Sequence, residues 1–121
     1  MSRLKIVILT NDAERFRGAL MLAMAHVAMG GSAALFLQLD AVALAATQFR
    51  ASNDAAHQAA GLPSLAALVD DALDADIRIT LCQTGLALTG LDAGALNPRL
   101  EPSGPIAFLQ GMAEGDRLLS V

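Results

Sequence analysis

Three short apolar segments, separated by stretches with helical features, constrain the fold of this chain more than any other feature. They are LKIVIL at 4–9, SAALFLQL at 32–39 and IRITL at 77–81. The first is a continuous run rich in β-branched residues, which is typical of a strand buried on both faces of a parallel sheet. Strands that alternate with helices predict an α/β fold, here a single domain over residues 1–121 with a mostly parallel central sheet flanked by helices.

The first connecting segment predicts a long helix. Asn11, with Glu14 three residues later, fits a capping box, and Asp12 is an alternative N-cap. We expect the helix to continue to about Met29 and to end at the two glycines that follow. Its second half carries apolar residues on the face where a surface helix should be polar, which indicates cover by another subunit.

The remaining segments carry weaker patterns. The apolar positions 65, 68, 69, 72 and 73 predict an amphipathic helix with an acidic outer face. We expect a short strand or strand-like return at 40–46, a loop with a helical turn at 47–63, a short helix at 84–91, a loop at 92–104, a helix from Pro105 to about 111–113, and a terminal strand at 116–121.

Composition and charge exclude several classes of function. Hydrophobic residues make up 55% of the 121 residues and the net charge is −4. An acidic chain with scattered Lys and Arg lacks the basic surface of a nucleic-acid-binding protein. The apolar stretch at 19–29 is too short to span a membrane, which takes roughly 20 residues, and the N-terminus lacks signal-peptide features. With one cysteine and so no internal disulfide, we expect a cytoplasmic protein.

Cys82, the one cysteine, stands where chemistry is expected in such a fold. Ligands of parallel sheets bind beyond the carboxyl ends of the strands, and Cys82 follows the third strand and precedes a helix. A helix N-terminus favours the thiolate form of cysteine. The small residues Thr84 and Gly85 leave room for a second sulfur or a partner's loop. The alternative is that Cys82 is a small buried hydrophobic residue.

Other candidate residues have a structural and a functional interpretation. Asn11 and Asp12 follow the first strand and either line a pocket near Cys82 or cap the first helix. We expect His26 to lie in an interface or the core, and His57 to be solvated. One Cys and two His make no plausible metal site, and no phosphate-binding glycine loop is present, so we expect no metal and no cofactor.

Most of the chain resembles the DsrE/DsrF-like family. The opening strand, helix and second strand are followed by Asp40-Ala41-Val42, where the family has a return of the type D-G-V. The most specific match is CQT followed by GL at 82–86. The resemblance implies an α/β fold with a three-layer, flavodoxin-like arrangement and assembly into trimers or hexamers through apolar helices.

The resemblance also implies a function. Some family members are sulfur carriers that hold sulfane sulfur as a persulfide on the cysteine that Cys82 matches. We therefore expect Cys82 to be catalytic, Gln83, Thr84, Gly85, Asn11 and Asp12 to contact the substrate, and sulfur donor and acceptor proteins to be partners. The alternative function is a non-catalytic, oligomeric binding module of the same fold in which Cys82 is structural.

Overall fold

The computed structural model describes residues 2–47 and 51–121 of the chain. Its strands form one parallel sheet in the order β4-β3-β2-β1-β5. They are β1 (Arg3–Ile8), β2 (Ser32–Leu37), β3 (Arg78–Cys82), β4 (Glu101–Ser103) and β5 (Arg117–Ser120). The predicted fold class is therefore confirmed, with a sheet that is parallel throughout the described residues.

Helices connect these strands. They are α1 (Ala13–Ala28), α2 (Asp54–Ala59), α3 (Leu65–Asp74), α4 (Gln83–Thr89) and α5 (Pro105–Leu109), with 3₁₀ helices at Leu39–Ala45 and Ala93–Ala95. None of the helices in the described ranges is both long and apolar enough to cross a bilayer.

The N-cap of α1 is Asp12, whose carboxylate accepts a hydrogen bond from the Arg15 N–H at 3.0 Å. The alternative that we gave for this helix start is therefore confirmed, and the capping box on Asn11 is wrong. The helix ends at Ala28, close to the predicted end, and the glycine at 30 follows with φ of 96°.

Two predicted elements differ from the structure. Residues 40–46 lie mainly in a 3₁₀ helix instead of a strand, because Leu39 turns the chain out of the sheet with φ of 52°. The 92–104 loop ends in the edge strand β4, whose three residues include Pro102. Proline is tolerated on edge strands, but so short a strand has no detectable pattern. The 47–63 segment contains α2, and its residues 48–50 lie outside the described part.

The two faces of the sheet are covered unequally. From β1 to β4, each strand lies next to the preceding one, always on the same side of it. Right-handed crossovers therefore place α1, α3 and α4 on one face of the sheet, here called the first face. The return to β5 places α5 on the opposite, second face. There Phe108 of α5 stacks on Phe36 of β2, with ring centroids 5.3 Å apart. The five-residue α5 is a small cover for this face.

The outer surface of α1 is apolar in its second half. Met21, Leu22 and Met29 are 58%, 52% and 71% exposed, whereas the inward Phe16 and Leu20 are fully buried. This exposed surface agrees with the pattern that we used to predict a subunit interface.

Candidate functional site at Cys82

Cys82 joins β3 to α4. It is the last residue of β3, where it pairs with Ser103 of β4, and it is also the N-cap of α4. Its Sγ accepts a hydrogen bond from the Gly85 N–H at 3.4 Å. The residue is only 3% exposed and belongs to the hydrophobic core. The thiol is thus at the expected edge of the sheet but packed beneath the surface.

The turn after Cys82 is held by backbone packing against the 3₁₀ helix Leu39–Ala45. A Cβ atom on Gly85 would lie 2.1 Å from the Leu39 carbonyl oxygen and 2.9 Å from the Val42 Cγ1. Leu39 itself has φ of 52°, a left-handed conformation that is costly for a non-glycine residue. The close approach at Gly85 therefore fixes α4 against a strained turn that follows β2.

The structure places the predicted substrate-contacting residues in two groups. Gln83 and Thr84 are exposed in the first turn of α4 and Gly85 is buried beside Cys82. Asn11 and Asp12 are also exposed, but they follow β1, which is separated from β3 by β2. Two strand spacings amount to about 10 Å. Asp12 is in addition engaged as the cap of α1.

A buried arginine on α1 organises a polar cluster that the sequence pattern did not indicate. Arg17 is 3% exposed and donates hydrogen bonds to Glu14 at 3.0 Å, to Asp54 at 2.7 Å and to the Pro63 carbonyl at 3.0 Å. The spacing of Glu14 and Arg17 on one helix was visible in the sequence. The contact of Arg17 with Asp54, 37 residues further on, depends on the folding of the 51–65 segment against α1.

Hydrogen bonds set the protonation of the carboxylates in this cluster. The pKa of Glu14 is lowered, first by its hydrogen bond with His57 and then by that with Arg17. Burial alone would raise the pKa of Asp54, but hydrogen bonds from the Leu65 N–H, Arg17 and the Ala51 N–H outweigh it and lower the pKa. His57, expected to be solvated, is in fact partly buried and lies 3.1 Å from Glu14.

The family model of the DsrE/DsrF-like proteins matches residues 4–121, nearly the whole chain and all of the Cys82 turn. The chain belongs to the DsrE/DsrF-like family.

Two solved structures share the fold of this DsrE/DsrF-like chain. The YchN protein from E. coli has a TM-score of 0.75 at 16% identity, and the protein of unknown function MTH1491 from Methanobacterium thermoautotrophicum has a TM-score of 0.74 at 14% identity. Each alignment covers 100% of both chains. None of the curated proteins compared with the chain matches it. At these identities the likeness shows the fold, while the family match suggests a role related to sulfur relay.

Proposed function

We propose that this protein is a sulfur carrier that holds sulfane sulfur as a persulfide on Cys82 and passes it to a thiol of a partner protein. The observation that supports the proposal most is the position of the chain's one cysteine. Cys82 ends β3 and caps α4 inside the region that matches the DsrE/DsrF-like family. Membership in that family supplies the link to sulfur relay.

The chemistry needs one cysteine and no added oxidant. The Cys82 thiolate attacks the outer sulfur of a donor persulfide, R–S–SH. The S–S bond of the donor breaks, the donor leaves as the thiolate R–S⁻, and Cys82 becomes Cys–S–SH. Attack by an acceptor thiolate on that outer sulfur then forms the acceptor persulfide and returns Cys82 to its thiolate. Gln83 and Thr84, exposed beside the turn, are the proposed contacts of the incoming sulfur group.

The burial of Cys82 adds a step to this scheme. Because the residue is 3% exposed, the first turn of α4 has to move before a donor can reach the sulfur. Local openings of this kind cost less free energy than global unfolding. Leu86 of α4 is partly buried against the core and helps to hold the helix in place. We therefore propose that opening of α4 limits the rate of sulfur loading.

Intact mass spectrometry after incubation with glutathione persulfide tests the proposal. We expect the native protein to gain the mass of one sulfur atom and Cys82→Ser to gain none. Leu86→Ala should load faster, because it loosens α4, whereas Leu73→Ala, a similar truncation on α3, should load at the wild-type rate. Cyanide should then release the sulfur as thiocyanate. Loading of the urea-unfolded chain without loading of the native protein would contradict the sulfur-carrier function.

The same burial favours a second candidate function, a non-catalytic binding module in which Cys82 is a packing residue. The Sγ contacts with the Gly85 N–H and the core are those of a structural N-cap. This function predicts that Cys82→Ala assembles normally. It also predicts that iodoacetamide labels the thiol of the native protein far more slowly than that of the unfolded chain, with no acceleration in Leu86→Ala.

We further propose that the protein acts in the cytoplasm as a trimer or hexamer, with donor and acceptor proteins as partners. Exposed apolar residues on α1 and at its C-cap Met29, which is 71% exposed, support assembly. Light scattering at micromolar concentration should give the mass of a trimer or a hexamer. Met29→Lys should weaken the assembly and lower that mass. A wild-type monomer would exclude this part of the proposal.

A further inference from the structure

The second face of the sheet contains a cavity of about 320 Å³ between the strands and α5. Its size is at the lower end of the range for small-molecule pockets. Small side chains line it on both sides, with Ala34 on β2 and Ala107 on α5, while Thr80 and Ser103 supply hydroxyl groups. The cavity exists because α5 has only five residues and covers part of this face.

Lys5, the one lysine of the chain, lines this cavity. Although it is charged, the residue is 6% exposed. Its Nζ donates hydrogen bonds to the carbonyl oxygens of Phe108 and Gln110 at the end of α5, and it lies 5.1 Å from the centroid of the Phe108 ring. An ammonium group has three N–H donors, so these two carbonyls leave one donor for another acceptor.

The charge of Lys5 has no carboxylate partner among the described residues, which include every Asp and Glu of the chain. Glu101 lines the cavity together with Arg78, its ion-pair partner, and Asp116 lies outside the lining. Asp116 pairs with Arg3 at 3.2 Å, and Glu101 pairs with Arg78 at 3.1 Å. Burying an ammonium group without an opposite charge is unfavourable. A group that supplies the missing negative charge would therefore bind with favourable electrostatics.

We propose that this cavity binds a small organic carboxylate. One carboxylate oxygen accepts the free N–H of Lys5, and the apolar part of the ligand packs against Ala34, Ala107 and the Phe108 ring. The hydroxyl groups of Thr80 and Ser103 line another part of the wall, and Arg3, Arg78 and Glu101 also border the cavity. The site is separate from the sulfur chemistry proposed for Cys82, because Cys82 is not among the residues that line the cavity.

The protonation of Lys5 agrees with this site. Burial and then the neighbouring Arg3 lower the pKa of Lys5, with a smaller opposing effect of Asp116. A carboxylate bound beside the amine would raise that pKa again. Binding should therefore be accompanied by proton uptake in alkaline buffer.

Calorimetry and NMR titration of the whole protein with three probes test the proposal. Hexanoate has the charge and an apolar body, hexanol lacks the charge, and inorganic sulfate lacks the body. We expect hexanoate to bind at least about tenfold more tightly than the other two, with shifts at the Ala34 and Ala107 amides. Lys5→Met should reduce hexanoate binding to the level of hexanol. Arg99→Met, outside the cavity, should bind as the wild type does.

A second variant keeps the test decisive if Lys5→Met does not fold. Ala34→Leu retains the lysine but fills the cavity, so it should abolish hexanoate binding. Unchanged binding of hexanoate in either folded variant would overturn the proposal. So would equal affinity for hexanoate and hexanol, or for hexanoate and sulfate, because Lys5 would then serve as a cap of α5 with no organic anion site.

Discussion

Among the residues that the structure describes, two cations are buried, one on each side of the sheet, and their surroundings differ. Arg17, at 3% exposure, has Glu14, Asp54 and the Pro63 carbonyl as partners. Lys5, at 6% exposure, has two backbone carbonyls and borders a cavity. The charge of Arg17 is balanced by two carboxylates of its own chain, and its contacts connect the 51–65 segment to α1. Lys5 has no carboxylate partner among the described residues, which distinguishes a structural cation from one that can recognise an anionic ligand.

The largest effect on stability should come from Arg17, the cation that is paired with carboxylates. Arg17→Met removes the partner of two carboxylates, of which Asp54 is mostly buried, and we expect the free energy of unfolding to fall by about 3 to 4 kcal/mol. Urea denaturation at neutral pH measures it. The control is Arg99→Met, which removes the exposed ion pairs with Asp70 and Asp74 and should cost less than about 1 kcal/mol. A loss at Arg17 as small as that at Arg99 would contradict the comparison.

Gly85→Ala tests the tight packing on the first side of the sheet. The new methyl group would lie 2.1 Å from the Leu39 carbonyl oxygen, so backbone has to shift, and we expect a loss of about 3 kcal/mol. In Gly18→Ala the methyl group meets no atom within 4 Å on helix α1, and stability should rise by about 0.5 to 1 kcal/mol. Chemical denaturation of both variants gives the difference. Similar stabilities would show that the Leu39 turn adapts freely.

The ion pair of Arg17 with Asp54 predicts a pH dependence. Asp54→Asn should lower the free energy of unfolding by about 2 kcal/mol at pH 7, because a charged acceptor of Arg17 is lost. Since the folded-state pKa of Asp54 is lowered, its contribution is complete above the unfolded value of about 3.9 and is lost as the pH falls through the folded value. Urea curves of both proteins at several pH values should therefore converge in acid. A difference in the free energy of unfolding between the wild type and Asp54→Asn that stays the same in acid would exclude the ionised pair.

The smallest effect should come from Lys5. Lys5→Met loses two hydrogen bonds but also removes a buried charge that has no carboxylate partner. Because these effects oppose each other, we expect a free energy of unfolding within about 1 kcal/mol of the wild type at pH 7. Folding lowers the pKa of Lys5. The destabilisation caused by its buried charge is therefore complete at pH values below the pKa of the folded state, and it disappears as the pH rises to the pKa of the unfolded state. The free energy of unfolding of the wild type should thus rise relative to that of Lys5→Met between pH 7 and pH 10, which urea denaturation at the two pH values measures. A loss comparable to that of Arg17→Met would mean that Lys5 is structural.

Local patterns were enough to locate the strands β1, β2 and β3, the long helix α1 and the cysteine at the end of β3. Helical periodicity and capping reflect contacts between near neighbours, and a continuous apolar run marks a strand that is buried on both faces. The 3₁₀ helix Leu39–Ala45 was mistaken for a strand because its apolar composition suits either state, and the left-handed Leu39 that decides the matter has no sequence signature. Strand β4 exists because it pairs with β3, not because its three residues favour a strand.

What the sequence by itself determined is the order of the main strands and helices, and with it the edge of the sheet where Cys82 lies. The tertiary structure alone decided that this thiol is buried, that Gly85 abuts the Leu39 backbone, that Arg17 has two carboxylates and that Lys5 has none. The physical reason is how far apart along the chain the interacting residues lie. The patterns that predict the main helices and strands lie within a few consecutive residues, whereas strand pairing, burial and charge pairing depend on segments that are tens of residues apart and meet only when the sheet and its helices have assembled.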